Sequence, residues 1–147
     1  MNHNTVPTEA AAEIIPEGYA RHSRKSPLTD PWEPLYSRKE GGVVSIGFVA
    51  GAAHANSRGF VHGGMITALA DNAMGLSCGE SLEGGASLVT VNLAVDFLGS
   101  ASLGQWVEVR PKLNRLGSTL CFAEAMVSAD GAPCATAHAT FRVVRRS

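Results

Sequence analysis

The chain has 147 residues, 45% of them hydrophobic, and its 12 Lys plus Arg oppose 13 Asp plus Glu for a formal net charge of -1. That is the profile of one globular domain, and the near-neutral balance excludes a general nucleic-acid binder, which needs a basic excess. Charged residues make up only 17%, against about a quarter in typical domains, so part of the surface is expected to be covered by another subunit.

Residues 1–34 stand apart. Pro7, Pro16, Pro27, Pro31 and Pro34 punctuate them, and they include an Ala-rich stretch and an amphipathic piece from Glu17 to Lys25. They read as an N-terminal extension, a mobile end followed by a short helix and an irregular lead-in, with the domain proper over 35–147. The N-terminus lacks the basic start and apolar core of a secretory signal, and no apolar run approaches the roughly 18 residues needed to span a bilayer. A cytoplasmic protein without a membrane segment is expected. Cys78, Cys121 and Cys134 are odd in number, widely spaced and without a CxxC pair. They fit neither a disulfide framework nor a zinc site and are expected as buried small hydrophobes.

From Leu35 onward the pattern is strand-like. Val43 to Val49 lies between Gly41-Gly42 and Gly51 and reads as a strand. Between Gly63 and about Gly79 the chain is long enough for a helix and apolar nearly all round, with Met65, Ile66, Ala68, Leu69, Ala70, Ala73, Met74 and Leu76 leaving no wide polar stripe. Such a helix must be buried on most sides, which a sheet wrapped around it would provide. Val89 to Phe97 carries its large apolar residues at odd positions and polar ones at even positions, the period of a half-buried strand. Val107, Val109 and Leu113 alternate with Glu108, Arg110 and Lys112, and Pro111 marks a bulge or an unpaired edge. Thr119 to Ser128 and Cys134 to Val144 flank Asp130-Gly131, a hairpin signal. The expected fold is α+β, an antiparallel sheet wrapped around a long central helix.

The segment from Asn56 to Asn72 concentrates the chemistry. Gly63 and Gly64 stand at the helix entrance, where backbone can approach a ligand and the first N–H groups are unpaired donors at the positive end of the helix dipole. That equips the corner to stabilise an oxyanion. Asp71 lies inside the apolar helix, where an unpaired carboxylate is expensive to bury; a buried polar contact, a solvated groove and catalysis are the three readings open to it. Nine steps of about 100° separate His62 from Asp71, half a turn net, so the two point to opposite sides. A site using both the Gly63 donor and the Asp71 carboxylate is then more easily assembled across a two-fold interface. His62 by itself reads first as a structural hydrogen-bonding residue. His3, His22 and His54 show no metal-ligand spacing, and His138 reads as a surface or interface residue.

On these residues the chain resembles the hotdog-fold acyl-CoA thioesterases of the phenylacetate-degradation (PaaI-like) family. The similarity runs from about Leu35 to Val144 through Asn56, His62-Gly63-Gly64 and Ala70-Asp71, followed by the strand that begins Val89-Thr90-Val91-Asn92-Leu93. The resemblance implies a hotdog fold in which Asp71 is nucleophile or general base toward a thioester carbonyl and the Gly63 N–H is the oxyanion donor. Asn56 would hold the carbonyl or the attacking water. Thr90 takes the place of a small hydroxyl residue, often Ser in the family, that assists the carboxylate. The resemblance also implies sites built between subunits, the Asn/Gly group from one and the Asp from the other, and so a homodimer or a dimer of dimers, a homotetramer. The Leu116-Gly117-Ser118 turn resembles the family segment beside the pantetheine arm.

The expected function is hydrolysis of an aryl- or short- to medium-chain acyl-CoA to the free acid and coenzyme A. Coenzyme A is part of the substrate, and no metal or redox cofactor is expected. His62 is counted with the catalytic group; Gly64, Met65, Met74, Arg115, Gly117 and Ser118 are counted as substrate contacts, with Phe97 beside the methionines in the acyl pocket. The phosphates of coenzyme A call for a basic mouth, for which Arg110, Lys112, Arg115, Arg142, Arg145 and Arg146 are candidates. A hotdog hydratase or dehydratase acting on a hydroxyacyl thioester is a second reading, but it needs a His with a converging acidic partner, and that motif is absent. A non-catalytic acyl-CoA-binding module is a third, against which the intact Asn56, Gly63 and Asp71 set weighs.

Overall fold

A computed structural model of the protein describes residues 15–145. The expected mobile end, residues 1–14, and Arg146 lie outside the described residues. In chain order the elements are β1 (Ala20–Arg21), β2 (Tyr36–Glu40), β3 (Val43–Val49), α1 (Gly63–Ser81), β4 (Ser87–Phe97), β5 (Trp106–Leu116), β6 (Leu120–Ala129) and β7 (Ala132–Val144). The strands form one sheet in the order β1-β2-β3-β5-β6-β7-β4, every pairing antiparallel. The sheet curls around α1, which touches β3, β4, β5, β6 and β7. This is the α+β hotdog arrangement. No described helix is long and apolar enough to cross a membrane.

Period-two alternation selects the inner face. Val44, Ile46 and Phe48 of β3, Val107 and Val109 of β5, Cys121, Ala123, Ala125 and Val127 of β6, and Ala135, Ala137, Ala139 and Phe141 of β7 are all buried. The many alanines let the helix approach closely, and α1 fills the space with Met65, Ile66, Leu69, Ala70, Ala73, Met74 and Cys78. Ser77 pins helix to sheet: its Oγ accepts the Val44 N–H at 2.9 Å and donates to the Ala73 carbonyl at 2.7 Å. No α1 residue from Met65 to Gly79 is fully exposed, as the all-round apolar composition demands. The three cysteines are free and buried.

The turns follow their residues. Asp130 and Gly131 have φ of 47° and 85°, the left-handed pair of a two-residue hairpin. Pro111 sits where β5 has lost a neighbour: β3 pairs with β5 only as far as Val109, while β6 continues alongside. The missing N–H is tolerated at that unpaired edge.

Two expectations change. The helix expected over Glu17 to Lys25 is absent; Ala20 and Arg21 pair instead with Ser37 and Tyr36. The Tyr19 hydroxyl anchors this stretch by donating to the buried Glu108 carboxylate at 2.9 Å, and its ring meets Trp106 edge-on at 5.0 Å. The helical turn near here is a three-residue 3-10 turn, Asp30–Trp32. The odd-in, even-out pattern of β4 is also broken. Thr90 pairs with Phe141 and Asn92 with Thr140, so Val91 is an extra residue, a bulge. Phe141 faces the core, so Thr90 faces α1, whereas Val89 and Val91 are 52% and 53% exposed.

Candidate active site

The corner before α1 is organised by three side chains. Asn56 Oδ1 accepts the backbone N–H of Arg58 at 2.9 Å and of Phe60 at 3.1 Å. Two backbone donors fix the amide with its oxygen inward, leaving Nδ2 as the outward donor. His54, buried, accepts the Gly51 N–H on Nδ1 and donates from Nε2 to the Trp32 carbonyl at 2.8 Å. Its own carbonyl takes the His62 N–H at 2.8 Å. His62 is the N-cap of α1, its Nδ1 accepting the Gly64 N–H at 2.9 Å. A nitrogen that accepts must carry a lone pair, so the ring proton sits on Nε2. This bond makes His62 the cap of α1.

With Gly64 capped, the Gly63 N–H is left over: among the described residues it has no acceptor. The Phe97 ring lies over Gly63, 3.1 Å from where a Cβ would stand. A glycine fits this contact and leaves the N–H pointing into open space at the positive end of α1.

Asp71 is two turns further along. Its Oδ1 accepts the Thr90 hydroxyl at 2.7 Å, and among the described residues the second oxygen has no partner. Both residues line an open groove of about 550 Å³ between the outward side of α1, the start of β4 and the segment after β1. Neither Asn56, His62 nor Gly63 lines it. Eight residues of helix rise separate Gly63 from Asp71, about 12 Å, too far for one carbonyl to touch both within a chain.

The other expected residues fall in different places. Met65 and Met74 do not line the groove; at 3% and 0% exposure they belong to the core. Nine steps apart, they are buried on different sides of α1, while Asp71, Asn72, Gly75 and Leu76 border the groove. Phe97 is half-exposed beside Gly63. Gly117 is fixed by its turn: its N–H donates to the Leu120 carbonyl at 2.9 Å, and a Cβ would stand 2.5 Å from that oxygen. Neither it, Ser118 nor Arg115 borders the Asp71 groove. A second bulge, between Leu113 and Arg115, sets Arg115 opposite Phe122 on the outer face of the sheet. Arg110 pairs with Glu108 and Lys112 with Glu124, Arg145 reaches the Glu83 carbonyl at 3.4 Å, and Arg142 lies on the outer face opposite Leu120 and Val89. Among the described residues no cluster of His, Cys, Asp and Glu is arranged to hold a metal ion.

One part of the groove is absent from the sequence expectations. His22, Arg24, Lys25 and Ser26, just after β1, line the groove together with Asp71. The charged run Arg21 to Lys25 was the available signal, but it reads equally as the polar face of a helix.

Comparison with known proteins gives the family. Residues 58–135 match the family model of the thioesterase superfamily. A Pseudomonas aeruginosa protein whose name describes it as a candidate esterase is 32% identical over 130 residues, 88% of this chain and 97% of its own length. The crystal structure of a candidate thioesterase, a phenylacetic acid degradation-related protein from Ralstonia eutropha JMP134, superposes with a TM-score of 0.71 at 32% identity, covering 82% of this chain and 92% of that one. A Bacillus halodurans protein determined with coenzyme A gives a TM-score of 0.68 at 25% identity, covering 76% of this chain and 74% of that one. The chain belongs to the thioesterase superfamily, as a thioester hydrolase of the PaaI-like hotdog type.

Proposed function

We propose that the protein hydrolyses the acyl-CoA thioester of an aryl or a short- to medium-chain acid, with Asp71 of one subunit facing the N–H of Gly63 of the partner subunit. The observation that carries this reading is the Asp71 carboxylate held by the Thr90 hydroxyl at 2.7 Å, with one oxygen free in an open groove. The hydroxyl orients the carboxylate and steadies its charge. Either the free oxygen, or a water that it deprotonates, adds to the thioester carbon. The carbonyl electron pair moves onto oxygen, where the Gly63 N–H and Asn56 Nδ2 receive it. Collapse breaks the C–S bond and coenzyme A leaves as thiolate; on the water route it takes the proton that Asp71 removed, and on the other a water cleaves the acyl–Asp71 anhydride, which frees the acid, restores the carboxylate and supplies the proton. His62, committed to its cap, holds Gly63 in place and transfers no proton in this scheme. A thiolate is a good leaving group, so the scheme needs no metal or redox cofactor. The coenzyme A held by the Bacillus halodurans relative supports the choice of thioester.

The open edge at β4 supports a homodimer, alone or doubled into a tetramer. This 11-residue strand is an edge, paired only with β7, and Val89, Val91 and Phe97 on it are about half-exposed. A long apolar edge left open invites aggregation. Pairing β4 with its copy about a two-fold axis covers that edge and brings two separated half-sites together. A cytoplasmic location suits the three free thiols and the substrate class.

The test is thiol release from a panel of aryl-, short- and medium-chain acyl-CoAs by wild type and Asp71→Asn. Wild type is expected to release thiol, and the variant to lose at least roughly 10²-fold in turnover. Near-normal hydrolysis by the variant would reject Asp71. Single turnover in ¹⁸O-water separates the two routes, since label enters the Asp71 carboxylate only on the anhydride path.

A further inference from the structure

The groove that contains Asp71 is also lined by the segment after β1, which the scheme above leaves unused. His22 stands in it, 7% exposed, with its backbone N–H bonded to the Leu35 carbonyl at 2.9 Å. Its Nδ1 is fully covered and lacks a partner among the described residues, whereas buried polar atoms nearly always have one. Burial holds the ring below its ordinary pKa, so at neutral pH it is uncharged and offers one N–H and one lone pair. Beside it, Arg24 has no carboxylate within ion-pair distance among the described residues, and Lys25 reaches Glu33 only at 3.9 Å. The acidic groups that line the groove are Asp71 and Glu80, and Glu80 is tied to Lys39 at 2.7 Å. This part of the lining thus carries two weakly compensated cations beside a buried, uncharged ring.

We propose that this segment binds the far end of the acyl group and that the substrate class is an acyl-CoA ending in a carboxylate, the monothioester of a dicarboxylic acid. The proposal rests on the reading of Asp71 as the reacting carboxylate. With the thioester carbon at Asp71, an acyl chain crossing the groove delivers its terminal carboxylate to Arg24 and Lys25, and His22 Nε2, the ring nitrogen that is not covered, donates a hydrogen bond. A methyl-terminated chain of equal length makes no such contact, and the exposed Arg24 and Lys25 then stay solvated. Discrimination rests on the charge-assisted contact that the terminal carboxylate gains. The phosphates of coenzyme A are the competing anion for these cations. They hang from the sulfur side of the thioester, away from the acyl chain, and can be removed from the experiment.

The test compares kcat/KM for adipyl-CoA and hexanoyl-CoA, and for the N-acetylcysteamine thioesters of the same two acids, in wild type, Arg24→Ala, Lys25→Ala, the double variant and His22→Phe. Wild type is expected to favour the carboxylate-ended substrate at least about tenfold, the scale of a charge-assisted contact. The preference should persist in the cysteamine thioesters, which lack phosphates, and fall toward one in the double variant. Arg24 and Lys25 are exposed, so their variants stay interpretable should His22→Phe fail to fold. Equal or better hydrolysis of the hexanoyl thioesters by wild type overturns the proposal. So does a defect of the double variant confined to the coenzyme A thioesters, which would assign the cations to phosphate. If wild type hydrolyses none of the four, this proposal is overturned, while the reading of Asp71 stands or falls separately on Asp71→Asn with the aryl-, short- and medium-chain panel.

Discussion

Thr90 reaches Asp71 because β4 carries one extra residue. The hydroxyl donates to the carboxylate at 2.7 Å from a position that plain alternation, counted back from Leu93, would place on the outer face. The bulge at Val91 turns it inward. A bulge beside a reacting group re-aims a side chain in this way, and here it supplies the contact that orients the free oxygen of Asp71.

Thr90→Val keeps the shape and removes the donor. A hydrogen bond to a charged group contributes about 1.5–3 kcal/mol, so kcat is expected to fall roughly 10- to 100-fold. Thr90→Ser should retain most of the turnover. Unchanged kcat in Thr90→Val, measured by thiol release, would show that the bond is not used in catalysis.

The proposed division of each site between two subunits makes a complementation test possible. Asp71→Asn and Asn56→Ala should each be inactive alone. Mixed by denaturation and refolding, half of the dimers carry one of each variant, and each such dimer regains one complete site. Recovery of about a quarter of wild-type activity is expected on two-fold symmetry. If the Asp and Asn of one chain served the same site, mixing would restore nothing.

The reach of the sequence differs from residue to residue. The Asn56, His62, Gly63 and Asp71 group was legible because helix entrance, glycine pair and misplaced carboxylate are local features, and the half-turn offset already pointed to two chains. The bulges at Val91 and near Asn114 were not legible: a one-residue slip leaves composition unchanged yet moves Val89 outward, and it sets Arg115 on the outer face. Met65 and Met74 were assigned to the substrate because an all-round apolar helix carries little information about which side meets the sheet. The His22 segment was hidden by helical periodicity between Glu17 and Lys25, which lost to pairing with β2 and the Tyr19 anchor on Glu108.

Gly117 offers a purely structural control on the turn that resembled a pantetheine contact. A methyl there would stand 2.5 Å from the backbone oxygen of Leu120, and backbone cannot yield as a flexible side chain does. Gly117→Ala is expected to destabilise the fold by roughly 1–3 kcal/mol. The check is a lowered urea midpoint with an unchanged m-value. An unaltered midpoint would show that the β5–β6 turn relaxes freely.

Metal removal should have no effect on turnover. The carboxylate and a backbone donor supply base and oxyanion stabilisation, each typically about 10²-fold or more, and the thiolate leaves without assistance. Thiol release after exhaustive dialysis against EDTA is expected to match the untreated rate. Loss restored by a divalent cation would require a different chemistry for Asp71.

The buried His22 ring gives stability a pH dependence of defined sign. Burial lowers its pKa below 6.5, as do Arg24, Lys39 and Lys25, while Glu33 pulls the other way. As pH falls below about 6.5, the unfolded chain takes up a proton that the folded ring resists. The unfolded state then binds more protons, so the folded state loses stability until the pH has passed the folded pKa. The contribution is fully present above the unfolded value and disappears on acidification. Urea midpoints from pH 7.5 to 5 should therefore fall more steeply for wild type than for His22→Phe, which has nothing to protonate at this position. Parallel slopes would mean that the His22 ring takes up its proton as readily in the fold as in the open chain.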